Sequence, residues 1–282
     1  MIKKIALGTV VLLVIAFNAT VMYIDAHMSK RVSTDVYSSC HKIWAARGLY
    51  EAREEQNSLT AMRRAFSQGA SGAEVDFHYD VEMNRYIISH DHPKKGSDGK
   101  LIYTQKEGEL LTLEKFLKEV GVGHYFWLDY KNLDKLSVKQ TKSAIKRLLK
   151  ITNFDNIRER LYIEGSNPLR LPMYTDAGFK TILGIHPPHA SNPFASIVAN
   201  GYKIAYYFKN ITALALPRGR KVEEPIYDTN LRELYKGIPL FLFHTPDDRA
   251  LLDELMANED VRVVLVGFEL SINRYHINTC KE

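Results

Sequence analysis

The sequence predicts an α/β protein, a (β/α)8 TIM barrel with an N-terminal transmembrane anchor. Three observations predict it: an uncharged apolar run at the start, eight short apolar segments in the rest of the chain, and helical patterns between most of those segments. Strands that alternate with helices form parallel βα units, and eight such units in about 250 residues match a (β/α)8 barrel. A doubly wound open sheet is the alternative, but no Gly-rich dinucleotide-binding motif supports it.

Residues 5–24 are the apolar run, which contains 20 residues without a charge. A helix needs about 20 apolar residues to cross a bilayer. Lys3 and Lys4 precede the run and favour a cytoplasmic N-terminus, which places the rest of the chain on the periplasmic or extracellular side. We predict that residues 1–24 are a retained signal anchor. A cleaved signal peptide, which would give a secreted protein, is the alternative, although the run is longer than the roughly 7–15 residues typical of that class.

The predicted domain covers residues 39–282 and follows a polar tether over residues 25–38. Its predicted strands are residues 41–46, 73–79, 125–130, 160–164, 179–183, 203–208, 239–243 and 262–266. Helices are expected behind Asn57-Ser58, behind a Thr112 cap, over residues 138–149, and behind a Thr245 cap with Pro246 at the first helical position.

The composition excludes several other classes of protein. Of the 282 residues, 45% are hydrophobic and 25% are charged, which excludes disorder and low-complexity repeats as the main architecture. The net charge of +5 is mild, and no run of Lys and Arg could follow a nucleic-acid backbone, so we expect no nucleic-acid partner. We also expect a monomer. Of the two Cys, Cys40 begins the domain and Cys280 nearly ends it. A closed barrel would bring them together, and export would favour a Cys40–Cys280 disulfide.

Polar side chains at alternate positions mark the candidate site. Glu74, Asp76 and His78 share one face of a predicted strand, and Asp129 and Lys131 repeat the pattern on the next long strand. Such groups are costly inside a barrel unless they bind something. Three carboxylates would suit one divalent cation, Mg²⁺ or Ca²⁺. The alternatives without a function are that the first strand faces solvent and that Asp129 and Lys131 form a surface ion pair at a strand end.

Four further residues are candidates because of their positions along the chain. His90 follows the carboxylate strand after a short hairpin and can move a proton near neutral pH. Glu164, His186 and His244 each follow a predicted strand, at the end where barrel active sites form. They are candidates for the substrate pocket, with ordinary loop residues as the alternative.

At these residues the sequence resembles the glycerophosphodiester phosphodiesterase family, whose barrel is of the PLC-like phosphodiesterase type. The family pattern runs His-Arg-Gly, Glu-Asn-Thr, Gly-Ala-x-x-x-Glu-x-Asp, His-Asp and Glu-x-Lys. The matching segments are ARG at 46–48, QNS at 56–58, GASGAEVD at 69–76, HD at 90–91 and DYK at 129–131. The resemblance extends from about residue 41 to residue 185.

The resemblance implies a role for each matched residue. Glu74, Asp76 and Asp129 would hold the metal ion. Arg47 and Lys131 would bind the phosphate, and His90 would be one of two acid–base histidines. Asp129, where the family more often has Glu, is similar to the sphingomyelinase-D-type phospholipases.

Ala46 departs from the family pattern because it stands where the first catalytic His is expected. Losing one acid–base group typically lowers a rate by about 10²–10⁴-fold. Three interpretations remain: a protein that binds phosphodiesters without cleaving them, an inactivated variant of an enzyme, or a substitute proton carrier. His78, His92 and His41 are the candidate substitutes, and His78 is preferred because it shares the face of Glu74 and Asp76.

The resulting functional prediction is a metal-dependent phosphoric diester hydrolase that acts on glycerophosphodiesters or lysophospholipid-like substrates. One alternative is a lipase like sphingomyelinase D or phospholipase D. Another is a catalytically silent protein that binds phosphodiesters or lipid headgroups. The expected partners are a phosphodiester or phospholipid-derived substrate and, through the N-terminal helix, the membrane.

Overall fold

The computed structural model describes residues 2–31, 35–189, 191–266 and 272–276. Its helices are α1 Ile2–Arg31, α2 Leu59–Ser67, α3 Leu113–Val120, α4 Val138–Ile151, α5 Pro172–Asp176, α6 Ala195–Phe208, α7 Thr229–Leu234 and α8 Arg249–Ala257. Its strands are β1 Ile43–Trp44, β2 Gly72–Asp80, β3 Arg85–Ile88, β4 Lys94–Lys95, β5 Leu101–Ile102, β6 Tyr125–Tyr130, β7 Leu161–Gly165, β8 Lys180–Gly184, β9 Ala213–Pro217, β10 Leu240–Thr245 and β11 Val261–Val266.

A curled parallel sheet organises the fold. Its parallel strands follow the order β1-β11-β10-β9-β8-β7-β6-β2, and β3 adds an antiparallel edge to β2. β1 pairs with β11 on one side, while on the other side Ala45 forms a parallel bridge to Ala73 of β2. The Ala45 N–H donates to the Gly72 carbonyl at 3.0 Å, and the Glu74 N–H donates to the Ala45 carbonyl at 2.8 Å. The first strand therefore contacts both of its neighbours, as in a (β/α)8 barrel.

Large aromatic side chains fill the interior of the curled sheet. Trp44 and Trp127 are buried there, with ring centroids 5.9 and 5.3 Å from the ring of Phe241. Tyr37 closes the end where the strands begin: its ring meets Trp44 edge-on at 5.0 Å, and its N–H donates to the Tyr162 hydroxyl at 2.8 Å. The cleft lined by Arg47, Glu74 and Lys131 lies at the opposite end, where the strands end.

The prediction of a strand at 203–208 is wrong, because these residues form the last turns of α6. A short apolar run fits a buried strand or a buried helix segment equally well by periodicity. Here Ala199, Lys203 and Tyr206 are buried at helical spacing. The strand at this place in the sheet is β9, whose five residues are all buried.

Two of the predicted helix caps are present in the structure, and the third helix is capped by a different residue. The Ser58 and Thr112 side chains accept the backbone N–H groups of Ala61 and Lys115, as expected. Thr245, in contrast, is the last residue of β10, and the cap of α8 is Asp248, which accepts the Leu251 N–H at 2.8 Å. Pairing of Thr245 with Val266 of β11 extends the strand as far as the residue that was predicted to be the cap.

The predicted tether differs from a free linker in the residues that are described. α1 continues through residues 25–31, and its Ile24 and Met28 are buried against the domain. The Asp25 carboxylate forms an ion pair with Lys203 of α6. Val36 and Tyr37 are also buried. The polar residues of this segment thus alternate with apolar ones that pack on the barrel.

Two predictions at the ends of the chain stay open. The segment Val11–Arg31 is long and apolar enough to cross a membrane, with a mean hydropathy of 1.6, but signal sequences and buried core helices share this property. Cys40 is partly buried just before β1, and Cys280 lies outside the described residues. The anchor and the Cys40–Cys280 disulfide therefore remain predictions.

The contact between Gly72 and Trp44 provides a test of the interior packing. A Cβ at residue 72 would lie 2.5 Å from the Trp44 ring, so Gly72→Ala should lower the free energy of unfolding by about 1–3 kcal/mol. Gly201→Ala is the control, because nothing lies within 4 Å of a Cβ there and the substitution should add up to about 1 kcal/mol. Urea unfolding measures both, and equal midpoints would contradict the packing described.

Candidate active site

A strained turn after β1 presents Arg47. Arg47 has φ 60° and Asn57 has φ 63°, a left-handed region that costs about 1–3 kcal/mol for a residue other than glycine. The Asn57 N–H donates to the Arg47 carbonyl at 2.9 Å, which holds the two residues together. Gly48 follows with φ 89°, and a Cβ there would lie 2.8 Å from the Ala61 backbone, so this position requires glycine. The close approach of the turn to α2 therefore fixes the direction of Arg47.

Asp76 of β2 is the centre of the site. Its side chain is fully buried and forms ion pairs with the Arg47 Nε at 2.9 Å and the Lys131 Nζ at 2.6 Å. The Asn57 Nδ2 donates to the Asp76 carboxylate at 2.8 Å, and the Asp76 N–H donates to the Asn57 Oδ1 at 3.0 Å. Burial alone would raise the pKa of Asp76, but Lys131 and Arg47 outweigh it and hold the pKa below its ordinary value.

Glu74 and Asp129 lie beside Asp76 because β2 and β6 pair in parallel register. Asp76 is the register partner of Asp129, and Glu74 points to the same face two residues earlier. Lys131 forms an ion pair with Asp129, and the Arg47 Nε lies 3.8 Å from the Glu74 carboxylate. Burial raises the pKa of Glu74 to about 7 and also raises the pKa of Asp129.

The three carboxylates fit one divalent cation. Each offers an oxygen, and these atoms lie within 4.8 Å of one another. The Asp76 Oδ1 is buried and accepts no hydrogen bond of good geometry from the residues that the structure describes, although Lys131 neutralises its charge. An all-oxygen donor set of this kind suits a hard ion such as Mg²⁺ or Ca²⁺.

The candidate histidines take different positions around this cluster. His90 lines the cleft, with its Nδ1 3.1 Å from the Asp91 Oδ1. His78 does not line the cleft: it is buried, its Nε2 has no hydrogen-bond partner among the described residues, and its ring centroid lies 5.5 Å from that of His92. Burial, with a smaller effect from His92, lowers the pKa of His78 to about 4. His41 precedes β1, so it lies at the opposite end of that strand from Ala46.

Glu164, His186 and His244 line the far side of the same cleft, which has a volume of about 370 Å³. The Trp127 Nε1 donates to the Glu164 Oε2 at 2.5 Å. Gly184 leaves room for this carboxylate, because a Cβ there would lie 2.4 Å from the Glu164 Oε1. Burial raises the pKa of Glu164 well above its ordinary value.

The two histidines of the far side flank Phe243. Their ring centroids lie 5.9 Å (His186) and 4.8 Å (His244) from that of Phe243. His244 has φ 51°, so it is a left-handed residue within β10, one position before the strand ends. Burial, then Arg220 and Arg47, lower the pKa of His244 to about 4.

The fold thus brings most of the predicted site residues to one cleft. The predicted residues that line it are Arg47, Glu74, His90, Asp129, Lys131, Glu164, His186 and His244. Asp76 lies beneath the cleft surface, and His78 lies behind it. Ala46 is partly buried at the end of β1, where its side chain packs with the interior aromatic cluster that also contacts Phe243. The chemical roles of these residues remain predictions.

Sequence reasoning gave no role to several residues of this site. Asn57 was placed at the start of α2 and in the matching segment QNS without a function of its own, whereas its side chain holds Asp76 in place. Trp127 and Phe243 were assigned only to strands, although both line the cleft. Alternation could have found Trp127, which lies two residues before Asp129 and therefore on the same face.

Several solved structures with a similar fold are glycerophosphodiester phosphodiesterases. No family model and no curated protein matches the chain. A glycerophosphodiester phosphodiesterase from Parabacteroides distasonis ATCC 8503 is 18% identical, with a TM-score of 0.56 over 80% of this chain and 92% of that chain. Another from Agrobacterium tumefaciens str. C58 is 11% identical, with a TM-score of 0.55 over 80% of this chain and 95% of that chain. The chain therefore has the fold of these enzymes, which confirms the resemblance at the level of fold.

The role of Asn57 can be tested by removing its donor group. Asn57→Asp places a second carboxylate against buried Asp76 and should lower the free energy of unfolding by about 1–3 kcal/mol. Asn84→Asp is the control, since Asn84 also has a positive φ, and an Asp there still accepts the Tyr79 hydroxyl. Thermal unfolding compares the two variants, and equal losses would show that Asn57 does not support Asp76.

Proposed function

We propose that this protein is a metal-dependent phosphoric diester hydrolase whose substrates are glycerophosphodiesters or lysophospholipid-like molecules. The observation that carries the proposal is one cleft in which three carboxylates lie beside the Arg47 guanidinium and the Lys131 ammonium. Three ionised carboxylates, two cationic side chains and one divalent ion would leave a single positive charge. This charge complements the single negative charge of a phosphodiester.

Each group of the cleft has a distinct part in this proposal. Glu74, Asp76 and Asp129 would hold one divalent cation, which when bound supplies charge neutralisation at the phosphate. Arg47 and Lys131 would bind the non-bridging phosphate oxygens, since both are anchored to Asp76 and directed towards the cleft. His90 would transfer a proton to or from the attacking or departing oxygen, because it lines the cleft and remains partly exposed.

Ala46 favours a second candidate function, a protein that binds phosphodiesters or lipid headgroups without cleaving them. The binding groups do not depend on residue 46, so they persist without the expected His. The position of His78 weakens its case as the substitute, because it is buried behind the cleft and its pKa is lowered to about 4. A lipase like sphingomyelinase D or phospholipase D remains the enzymatic alternative, which Asp129 in place of Glu favours.

We also propose that α1 is a retained anchor. Cleavage after residue 24 would remove Ile24 from its buried position, and cleavage after Asp25 would remove the partner of Lys203. Since Lys203 is itself buried, its ion pair favours retention of the helix over removal as a signal peptide. The domain would then lie on the periplasmic or extracellular side of the membrane.

Restoring a histidine at position 46 tests the proposed hydrolysis. Ala46→His should raise the turnover of glycerophosphocholine by about 10²–10⁴-fold, because the cleft regains a second acid–base group. Turnover is measured with Mg²⁺ or Ca²⁺ on both proteins, with a choline lysophospholipid as a parallel substrate. Turnover by the Ala46 protein that is lost in His78→Ala would identify a substitute proton carrier. Absence of turnover in both proteins, with metal-dependent substrate binding, would reject hydrolysis in favour of the binding function.

Calorimetry of Mg²⁺ and Ca²⁺ binding tests the carboxylate cluster. Glu74→Gln should weaken metal binding at least about tenfold. Mutation of a residue that only supports a metal ligand already lowers metal affinity by about 10–100-fold, and loss of a ligand should cost at least as much. Glu164→Gln is the matched control, since Glu164 lines the same cleft but lies outside the three-carboxylate group. Equal weakening in both variants, or no metal binding by the unaltered protein, would contradict the proposed metal site.

A further inference from the structure

The outer side of α6 is unusual among the barrel helices because it carries no exposed charge. The only charged residue of α6 is Lys203, which is buried and paired with Asp25 of α1. Ile197 and Phe208 are 55% and 56% exposed, and Phe194 at the helix start is 63% exposed. The outer side of α4, in contrast, exposes several lysines. We call Phe194, Ile197, Tyr207 and Phe208 the α6 apolar face.

α1 packs directly beside this face. Ile24 and Met28 of α1 are buried, and the Arg31 guanidinium donates to the Ile211 carbonyl at 2.7 Å. The same guanidinium lies 4.9 Å from the centroid of the Tyr206 ring. The second half of α1 is thus attached to the domain, while Val11, Leu12, Leu13, Val14 and Ile15 before it are exposed.

The ion pair between α1 and α6 fixes the position of α6 along the axis of α1. Asp25 is the first charged residue after the uncharged run, so in a helix that enters a bilayer it marks the level of the lipid headgroups. Lys203 pairs with Asp25 and therefore lies at the same level. Because Lys203 is within α6, the α6 apolar face would lie at the boundary of a membrane that α1 enters.

Aromatic side chains meet at this boundary. The Tyr23 ring of α1 contacts the Tyr207 ring edge-on at 6.1 Å, and Tyr207 contacts Phe208 at 5.1 Å. Aromatic residues, Tyr and Trp above all, are enriched where proteins cross the membrane–water interface. An exposed apolar face beside such a cluster is a surface that lipid would cover at little cost.

We propose that the α6 apolar face lies in the interfacial layer of the lipid bilayer and so holds the barrel against the membrane, an inference that rests on the proposed anchor α1. The surface is independent of the proposed hydrolysis, because none of its residues lines the cleft. A second copy of the chain is the other occupant that could cover this face, and the test distinguishes the two.

Tryptophan fluorescence quenching tests this contact in the full chain. The two native tryptophans, Trp44 and Trp127, are buried inside the barrel, where brominated lipid cannot reach them. Any quenching by lipid therefore reports on the Trp that is introduced on the surface. Ile197→Trp and Phe208→Trp are reconstituted in phosphatidylcholine vesicles whose acyl chains carry bromine. Val138→Trp on α4 is the control, because Val138 is also apolar and exposed. We expect at least about twofold more quenching at positions 197 and 208 than at position 138.

Equal quenching at all three positions would overturn the proposal, because the α6 apolar face would then be as distant from lipid as α4. Sedimentation in detergent micelles separates the two occupants. A dimer that dissociates in Ile197→Lys, combined with weak quenching at 197 and 208, would assign the face to a second copy and would also overturn the proposal. Circular dichroism verifies that each variant is folded.

Discussion

The buried carboxylate of Asp76 is the group on which the rest of the site depends. A buried charge is stable only when it is paired and hydrogen-bonded, and Asp76 draws Arg47, Lys131 and Asn57 to itself for this reason. These partners come from the turn after β1, the end of β6 and the start of α2. One compensated charge therefore ties together three segments that are distant in the sequence, and it also places both candidate phosphate ligands at the mouth of the cleft.

The groups proposed to bind the metal ion and the phosphate hold one another in place without the side chain of residue 46, where the acid–base His is expected. Arg47, Lys131 and the carboxylates hold one another, whereas Ala46 packs with the interior aromatic cluster and contributes nothing to the network. A change at residue 46 can thus alter the chemistry of the cleft while the ion pairs among Arg47, Lys131 and the carboxylates persist. The strained turn at Arg47 remains because Asn57 and the close approach to Ala61 hold it, whatever residue precedes it.

The contacts between α1 and α6 hold the barrel beside the helix that is proposed to enter the membrane. A helix joined to a domain by a flexible tether leaves the domain free to rotate, but α1 is fixed by buried Ile24 and Met28 and by the Asp25–Lys203 ion pair. The orientation of the cleft relative to α1 is then a property of the fold. For substrates derived from phospholipids, a fixed orientation near the membrane would keep the cleft close to their source.

The sequence by itself determined the features that depend on local geometry. Alternation on β2 and β6 placed Glu74, Asp76, Asp129 and Lys131 on shared faces, and side-chain chemistry identified the Ser58 and Thr112 caps. Only the tertiary structure decided which segments pair and which groups are buried. Residues 203–208 joined α6 because their buried positions follow helical spacing, and His78 was enclosed behind the cleft by neighbouring loops. Asn57 contacts Asp76, and Asp25 contacts Lys203, across long stretches of chain. These contacts form only after the sheet has curled, so no local sequence pattern predicts them.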